Sequence, residues 1–267
     1  MTRADADQPA RLHATEEQCL ISRPPRTDAT EILDVTTAAA KRAFSLNPTG
    51  DFNWLPLLSL LRGLRLRRVV SQTMRELTGT DTQAEDLWKN FYCIATNYSQ
   101  ARQEILKQGS LLKLILASVA IPGALPPVVH GGDLLCDGGT FNNFPADVMR
   151  DQWGVGRVIG VDLSFSKPRR IEYEELPGNW ALLRDRLRPR AKRRYRLPSL
   201  SAYLMNVTVL YSTSREREVR KLTDVYLNPP LNRVGMLQWA RFDEIVQQGY
   251  AHACQVLDDE LVAAKLV

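Results

Sequence analysis

The sequence predicts an α/β fold with a mainly parallel central sheet. Three observations carry that expectation. Arg157 to Leu163 (RVIGVDL) is a near-continuous apolar run, the pattern of a strand covered on both faces. The order strand–helix–strand from Leu134 to Leu163 reads as a βαβ unit, which implies a parallel pair with a right-handed crossover. Elsewhere, segments with helical apolar spacing are interleaved with short β-rich runs.

Taken in order, Met1 to about residue 27 is rich in charge, Pro and Ala and has no period, so it reads as a disordered or unrelated leader. Ala29 to Phe44 has helical spacing and stops near Asn47-Pro48-Thr49-Gly50. Trp54 to Leu77 reads as a second helical region, with Leu58, Leu61, Leu64, Val69 and Met74 on one face. Its Arg62, Arg65, Arg67 and Arg68 read as a solvated helix face, a phosphate-binding face being the alternative. Phe91 to Asn97 suits a buried strand.

Ser110 has N-cap chemistry for a helix through Val119, and Pro122 closes that helix because it has no amide donor and clashes with the preceding turn. Asp133 to Cys136 is a short strand that delivers Asp137 at its C-terminal end. Pro145 then opens a helix at a first-turn position, and Gly154 stops it as a left-handed cap. Beyond Ser164 come a charged, proline-punctuated stretch, a helix from Ser199 to Leu222, a strand at Asp224 to Leu227 and a last helix from about Leu237 to Leu266.

Composition sets the bounds. At 267 residues, with 44% hydrophobic and 24% charged residues, the chain can form one sizeable domain or two small ones. Arg184 to Arg196 carries eight basic residues against the single acid Asp185, a local excess of seven in a chain whose net charge is +5. The basicity is local, which argues against a nucleic-acid coat. Tyr195 is the one aromatic interleaved with it, too few for stacking single-stranded bases.

The cysteines Cys19, Cys93, Cys136 and Cys254 are far apart and form no C-x-x-C pair, so they read as free thiols in a reducing compartment. The N-terminus has no apolar signal region, and the longest apolar runs fall short of the roughly 20 residues a membrane span needs. The expected location is the cytoplasm or the membrane periphery.

Asp137 is the strongest candidate for chemistry. In open α/β sheets function gathers at the carboxyl ends of strands, and a carboxylate there can take the proton of a serine hydroxyl directly. The two glycines after it allow a tight turn. On spacing alone an Asp-Gly pair equally serves as a turn cap. His13, His130 and His252 lie in no motif.

A wider pattern adds to these readings. Ala117 to Pro127 (ASVAIPGALPP), Asp137 to Pro145 (DGGTFNNFP) and Val158 to Asp162 (VIGVD) resemble the patatin-like phospholipases, and their bacterial and neuropathy-target-esterase-like branch most closely. Glu85-Asp86-Leu87-Trp88, Asn228-Pro229-Pro230-Leu231 and Phe242-Asp243-Glu244-Ile245 agree with it, so the resemblance runs from about Asp28 to Ala253. It implies a three-layer α/β/α fold and a lipid acyl-ester hydrolase, of phospholipase or lysophospholipase type, working with a Ser–Asp dyad. Asp137 matches the dyad aspartate, the general base. Gly138, Gly139, Asn142, Asn143 and Pro145 match residues that shape the turn. A lipid or lysophospholipid substrate is implied, with no metal and no organic cofactor.

The sequence departs from that pattern in one respect. It contains neither the G-x-S-x-G elbow that carries the family's serine nor its glycine-rich oxyanion loop. Ser110, Ser118 and Ser164 do not sit on strand-to-helix elbows. The expectation is a patatin-like domain without its N-terminal strands, bearing the aspartate half of the dyad. Its organisation reads as a leader (1–27), a catalytic-domain remnant (28–163) and a C-terminal extension (164–267) packed on the same domain. The alternatives are a non-catalytic lipid-binding protein of the same fold, and an anionic-surface binder acting through Arg188, Arg190, Lys192, Arg193 and Arg194. The sequence does not indicate an oligomeric state.

Overall fold

The structure is a computed structural model that describes residues 37–42, 45, 47–78, 81–163, 174–189, 192, 194, 195, 197, 200–231 and 239–265. The expected leader, Cys19 and His13 lie outside them, as do Arg190 and Arg193.

Residues 37–42 are helical. The first long helix, α1, is Leu64–Thr78, ten residues later than the spacing suggests. Pro56 lacks an amide donor, and Gly63 sits in the left-handed region at φ 72°, so no helix runs through 54–63. Asp51 fixes the new start, its Oδ2 accepting from Leu64 N at 2.7 Å and Arg65 N at 3.1 Å.

Strand β1 (Cys93–Asn97) follows, buried along most of its length, and a turn with Ala101 at φ 51° leads into β2 (Arg102–Leu106). Helix α2 is Leu111–Ser118. Ser110 occupies its N-cap position without a side-chain cap bond, and the helix ends before Pro122. Strands β3 (Val128–His130) and β4 (Asp133–Asp137) form a hairpin on Gly131-Gly132, at φ 59° and 89°. A two-residue loop with positive φ at both positions is the turn that matches strand twist, and glycine supplies it without strain.

These four strands form one sheet in the order β2-β1-β4-β3, antiparallel throughout. Helix α3 (Ala146–Trp153) ends on Gly154 at φ 55°, as the sequence suggests, and Pro145 stands at its N-cap, one place earlier than expected. Strand β5 (Ile159–Val161) pairs in parallel with β6 (Val225–Leu227) in a separate two-stranded sheet. Between them lie α4 (Asn179–Arg186), α5 (Leu200–Thr208) and α6 (Leu210–Arg220), and α7 (Phe242–Lys265) comes last. The expected single helix from Ser199 is thus two, broken at Val209.

The fold is mixed α/β, but the expectation of a mainly parallel central sheet is wrong. The expected βαβ unit fails because both edges of β4 are taken by antiparallel neighbours, β3 through the hairpin and β1 through Ala95↔Asp137. Strand β5 must therefore find its partner elsewhere. Nor is β5 covered on both faces: Ile159 and Val161 are exposed, and only Gly160 points inward. A Cβ at Gly160 would lie 2.3 Å from Phe144 Cζ, so a glycine is what lets that aromatic ring close on the strand.

Two apolar clusters hold these pieces together. Met74, Ala84, Ala95, Leu106, Leu111, Leu114, Ala117 and Leu135 join α1 and α2 to the four-stranded sheet. Phe144, Ala146, Val158 and Val219 join the start of α3 to β5 and α6.

Candidate active site

Asp137 is the last residue of β4, and its main chain is held from both sides. Its N–H donates to Ala120 O at 3.0 Å, and its carbonyl accepts from Thr96 Oγ1 at 2.8 Å. Beyond it Gly138–Thr140 forms a single tight 3-10 turn. Gly139 N donates to Asp137 Oδ1 at 2.8 Å, and no described serine hydroxyl or cation bonds to the carboxylate. Burial pushes the Asp137 carboxyl above its usual range, and the Gly139 amide opposes that in part. Neighbouring Cys136 is pushed up too, first by burial and then by the Asp137 charge.

The glycines have a reason different from the one the sequence suggests. Neither Gly138 nor Gly139 has positive φ. A Cβ on Gly138 would stand 2.2 Å from Ile94 O, inside the β1 backbone. One on Gly139 would stand 3.1 Å from Asn143 Oδ1 and 3.3 Å from Asp137 Oδ1. The pair is there for close approach, to β1 and to the carboxylate respectively.

The other expected turn residues do gather here. Asn142 is buried and its Nδ2 donates to Asp147 Oδ1 at 2.9 Å, tying the turn to the first turn of α3. Asn143 is exposed apart from its approach to Gly139. Pro145 offers its carbonyl to Tyr92 Oη at 3.0 Å. Two further residues were not expected: Thr96, and Ser212 on α6, whose Oγ donates to Gly139 O at 2.7 Å. Both are buried. Neither hydroxyl belongs to a motif, so only the fold reveals them.

The basic run is remote in kind from this site. Asp185, buried, accepts from Arg194 N and Tyr195 N at 2.9 Å each and pairs with Arg188 at 3.6 Å. The described part of the run is thereby folded around its one acid, with Lys192 and Arg194 exposed. Among the described residues no group of His, Cys, Asp or Glu is placed to hold a metal, and no helix is long and apolar enough to cross a membrane.

In this mixed α/β fold Asp137, half-buried at a strand end with its pKa raised, is the candidate for proton transfer. Residues 20–150 match the patatin-like phospholipase family. It is 32% identical over 205 residues to lysophospholipase NTE1 of Kluyveromyces lactis, an alignment covering 76% of this chain and 14% of that protein. Against patatin-like phospholipase domain-containing protein 6 of Homo sapiens it is 30% identical over 212 residues, 78% of this chain and 15% of the relative. Against protein 7 of the same series from Mus musculus it is 31% identical over 209 residues, with shares of 76% and 15%. The chain thus spans about a seventh of the curated relatives it matches.

Proposed function

We propose that the chain is the Asp137-bearing part of a lipid acyl-ester hydrolase of the phospholipase or lysophospholipase type. The observation that carries this is Asp137 itself, fixed at a strand end with its carboxylate bonded to one backbone amide and its pKa pushed above the usual range by burial. A carboxylate whose pKa is raised is a stronger proton acceptor once ionised. In the reaction a serine hydroxyl gives its proton to Asp137 as its oxygen attacks the ester carbonyl, the alcohol leaves with that proton, and water releases the acid by the reverse exchange.

The names of the relatives support phospholipids or lysophospholipids as the substrate class. We read 28–163 as the catalytic-domain part and 164–267 as an extension on the same body. The Ser212–Gly139 bond and the place of Val219 beside Phe144 support that organisation.

Hydrolysis of a lysophosphatidylcholine and labelling by a fluorophosphonate, for the parent and Asp137→Asn, test the proposal. Activity and labelling that disappear in the variant support it. Labelling or hydrolysis indifferent to the substitution overturns it, whereas a folded parent that shows neither yet retains lysophosphatidylcholine binding gives the non-catalytic lipid-binding reading.

A further inference from the structure

Between Phe52 and Leu61 the chain makes a narrow protrusion whose base is tightly bonded and whose tip is apolar. The base is an antiparallel bridge between Phe52 and Leu61, with Asn53 N donating to Leu60 O at 2.8 Å and Asn53 Nδ2 to Ser59 O at 2.8 Å. Ser59, buried, donates from Oγ to Leu61 O at 2.7 Å. Leu60 N and Leu61 N donate to Gly123 O and Ala124 O, fastening the protrusion to the connector after α2.

The tip does the opposite. Trp54 is 97% exposed, Leu57 82% and Leu58 74%, with Leu55 and Pro56 also outward. A polar base that satisfies its own hydrogen bonds while holding large apolar side chains away from the body has the organisation of an insertion element rather than of a poorly packed loop.

The adjoining charge tells what it inserts into. Arg62, Arg65, Arg67 and Arg68 are exposed at the start of α1, and none pairs with a carboxylate among the described residues, whereas Arg42 and Arg75 do pair, with Glu76 and Asp81. Arg62 and Arg67 also rim a groove of about 300 Å³ whose walls include Leu125, Pro126 and the exposed Val129. An apolar tip flanked by unneutralised arginines matches the layered chemistry of a bilayer surface, acyl chains beneath an anionic headgroup plane. A soluble protein partner would have to offer both layers in the same order.

We propose that residues 54–60 and the arginine face of α1 form a membrane-docking surface for bilayers containing anionic phospholipid. The arginine face is thus a lipid contact rather than a solvated helix face, and the contact lies here rather than on the Arg184–Arg196 run. The inference stands on this surface alone and does not require turnover at Asp137.

Co-sedimentation of the full chain with phosphatidylcholine vesicles, with and without about 30 mol% phosphatidylserine, tests it in an arrangement sensitive to salt. The chain binds the phosphatidylserine vesicles, and less so as salt rises. The triple variant Trp54→Ser/Leu57→Ser/Leu58→Ser binds at least about tenfold more weakly, its circular dichroism unchanged because its side chains pack against little. Arg67→Gln/Arg68→Gln loses the preference for phosphatidylserine, whereas Arg188→Gln/Arg194→Gln leaves it intact. Should the triple variant perturb folding, Trp54→Ser alone is read, together with a blue shift of tryptophan fluorescence on vesicles that the parent shows and this variant lacks. Equal binding by the tip variants, or no binding by the parent, overturns the proposal. So does tip-dependent self-association without vesicle binding, which would make the surface an interface between copies.

Discussion

The Ser212 hydroxyl donates to the carbonyl of Gly139 at 2.7 Å across 73 residues of sequence. It joins α6 to the turn that follows Asp137, and both partners are buried. The turn is therefore fixed from two directions, by β1 through Thr96 and by α6 through Ser212.

Replacing Ser212 with Ala leaves the Gly139 carbonyl buried with one bond fewer. A lost buried hydrogen bond of this kind costs about 1–2 kcal/mol. Urea denaturation should show that loss, and hydrogen exchange at the Gly139 amide should accelerate more than at the strand amides of β1. A variant as stable as the parent would mean that α6 does not support the turn.

Gly138→Ala is the harsher change. Its Cβ would meet Ile94 O at 2.2 Å and Ile94 C at 2.6 Å, backbone atoms of a central strand that cannot swing aside. Overpacking against rigid neighbours costs about 3 kcal/mol. Gly139→Ala meets only the tips of Asn143 and Asp137, which can rotate, so its thermal midpoint should fall much less. If the two variants melt alike, close approach to β1 is not what keeps position 138 a glycine.

How far the sequence was readable follows from these contacts. Elements defined by local chemistry came through: β1, the strand ending at Asp137, and the helix between Pro145 and Gly154 all lie where spacing and cap residues put them. Pairing did not. The run Ile159–Val161 is apolar enough for a central parallel strand, yet its neighbour is β6, because the Gly131-Gly132 hairpin had already filled the free edge of β4. Strand β2, with Arg102, Gln103 and Glu104 in its five residues, has almost no hydrophobic alternation and is made by its partner β1. In the candidate site the gathering of Asn142, Pro145 and the glycines around Asp137 was legible. Thr96 and Ser212 were not, since what they do depends on carbonyls distant in sequence.

Two carboxylates should respond to pH with opposite signs. Asp137 is raised from an ordinary value of 3.8, by burial first, so the folded state holds its proton more tightly than the unfolded chain. Its contribution is therefore most favourable in acid and is lost as pH rises through the folded value. Asp224 is lowered from the same ordinary value, by the Val158 amide first and then by the Arg150 charge. Val158 N donates to its Oδ2 at 2.6 Å, and Arg150, which also donates to Leu222 O and Gly156 O, forms an ion pair with it. That contribution is present above the unfolded value and is lost as pH falls through the folded one. Asp137→Asn should accordingly melt higher than the parent at neutral pH, since an amide can still accept from Gly139 without the burial penalty on charge. Asp224→Asn should melt lower. Both differences should shrink toward zero as the pH is brought down past 3.8, the first because the parent carboxyl becomes neutral like the amide, the second because the ion pair has gone. Thermal melts of the parent and both variants across acid to neutral pH check this. An Asp137→Asn variant less stable at neutral pH would mean that the carboxylate is held by a favourable partner, and that Asp137 is a structural anchor rather than a base kept ready to accept a proton.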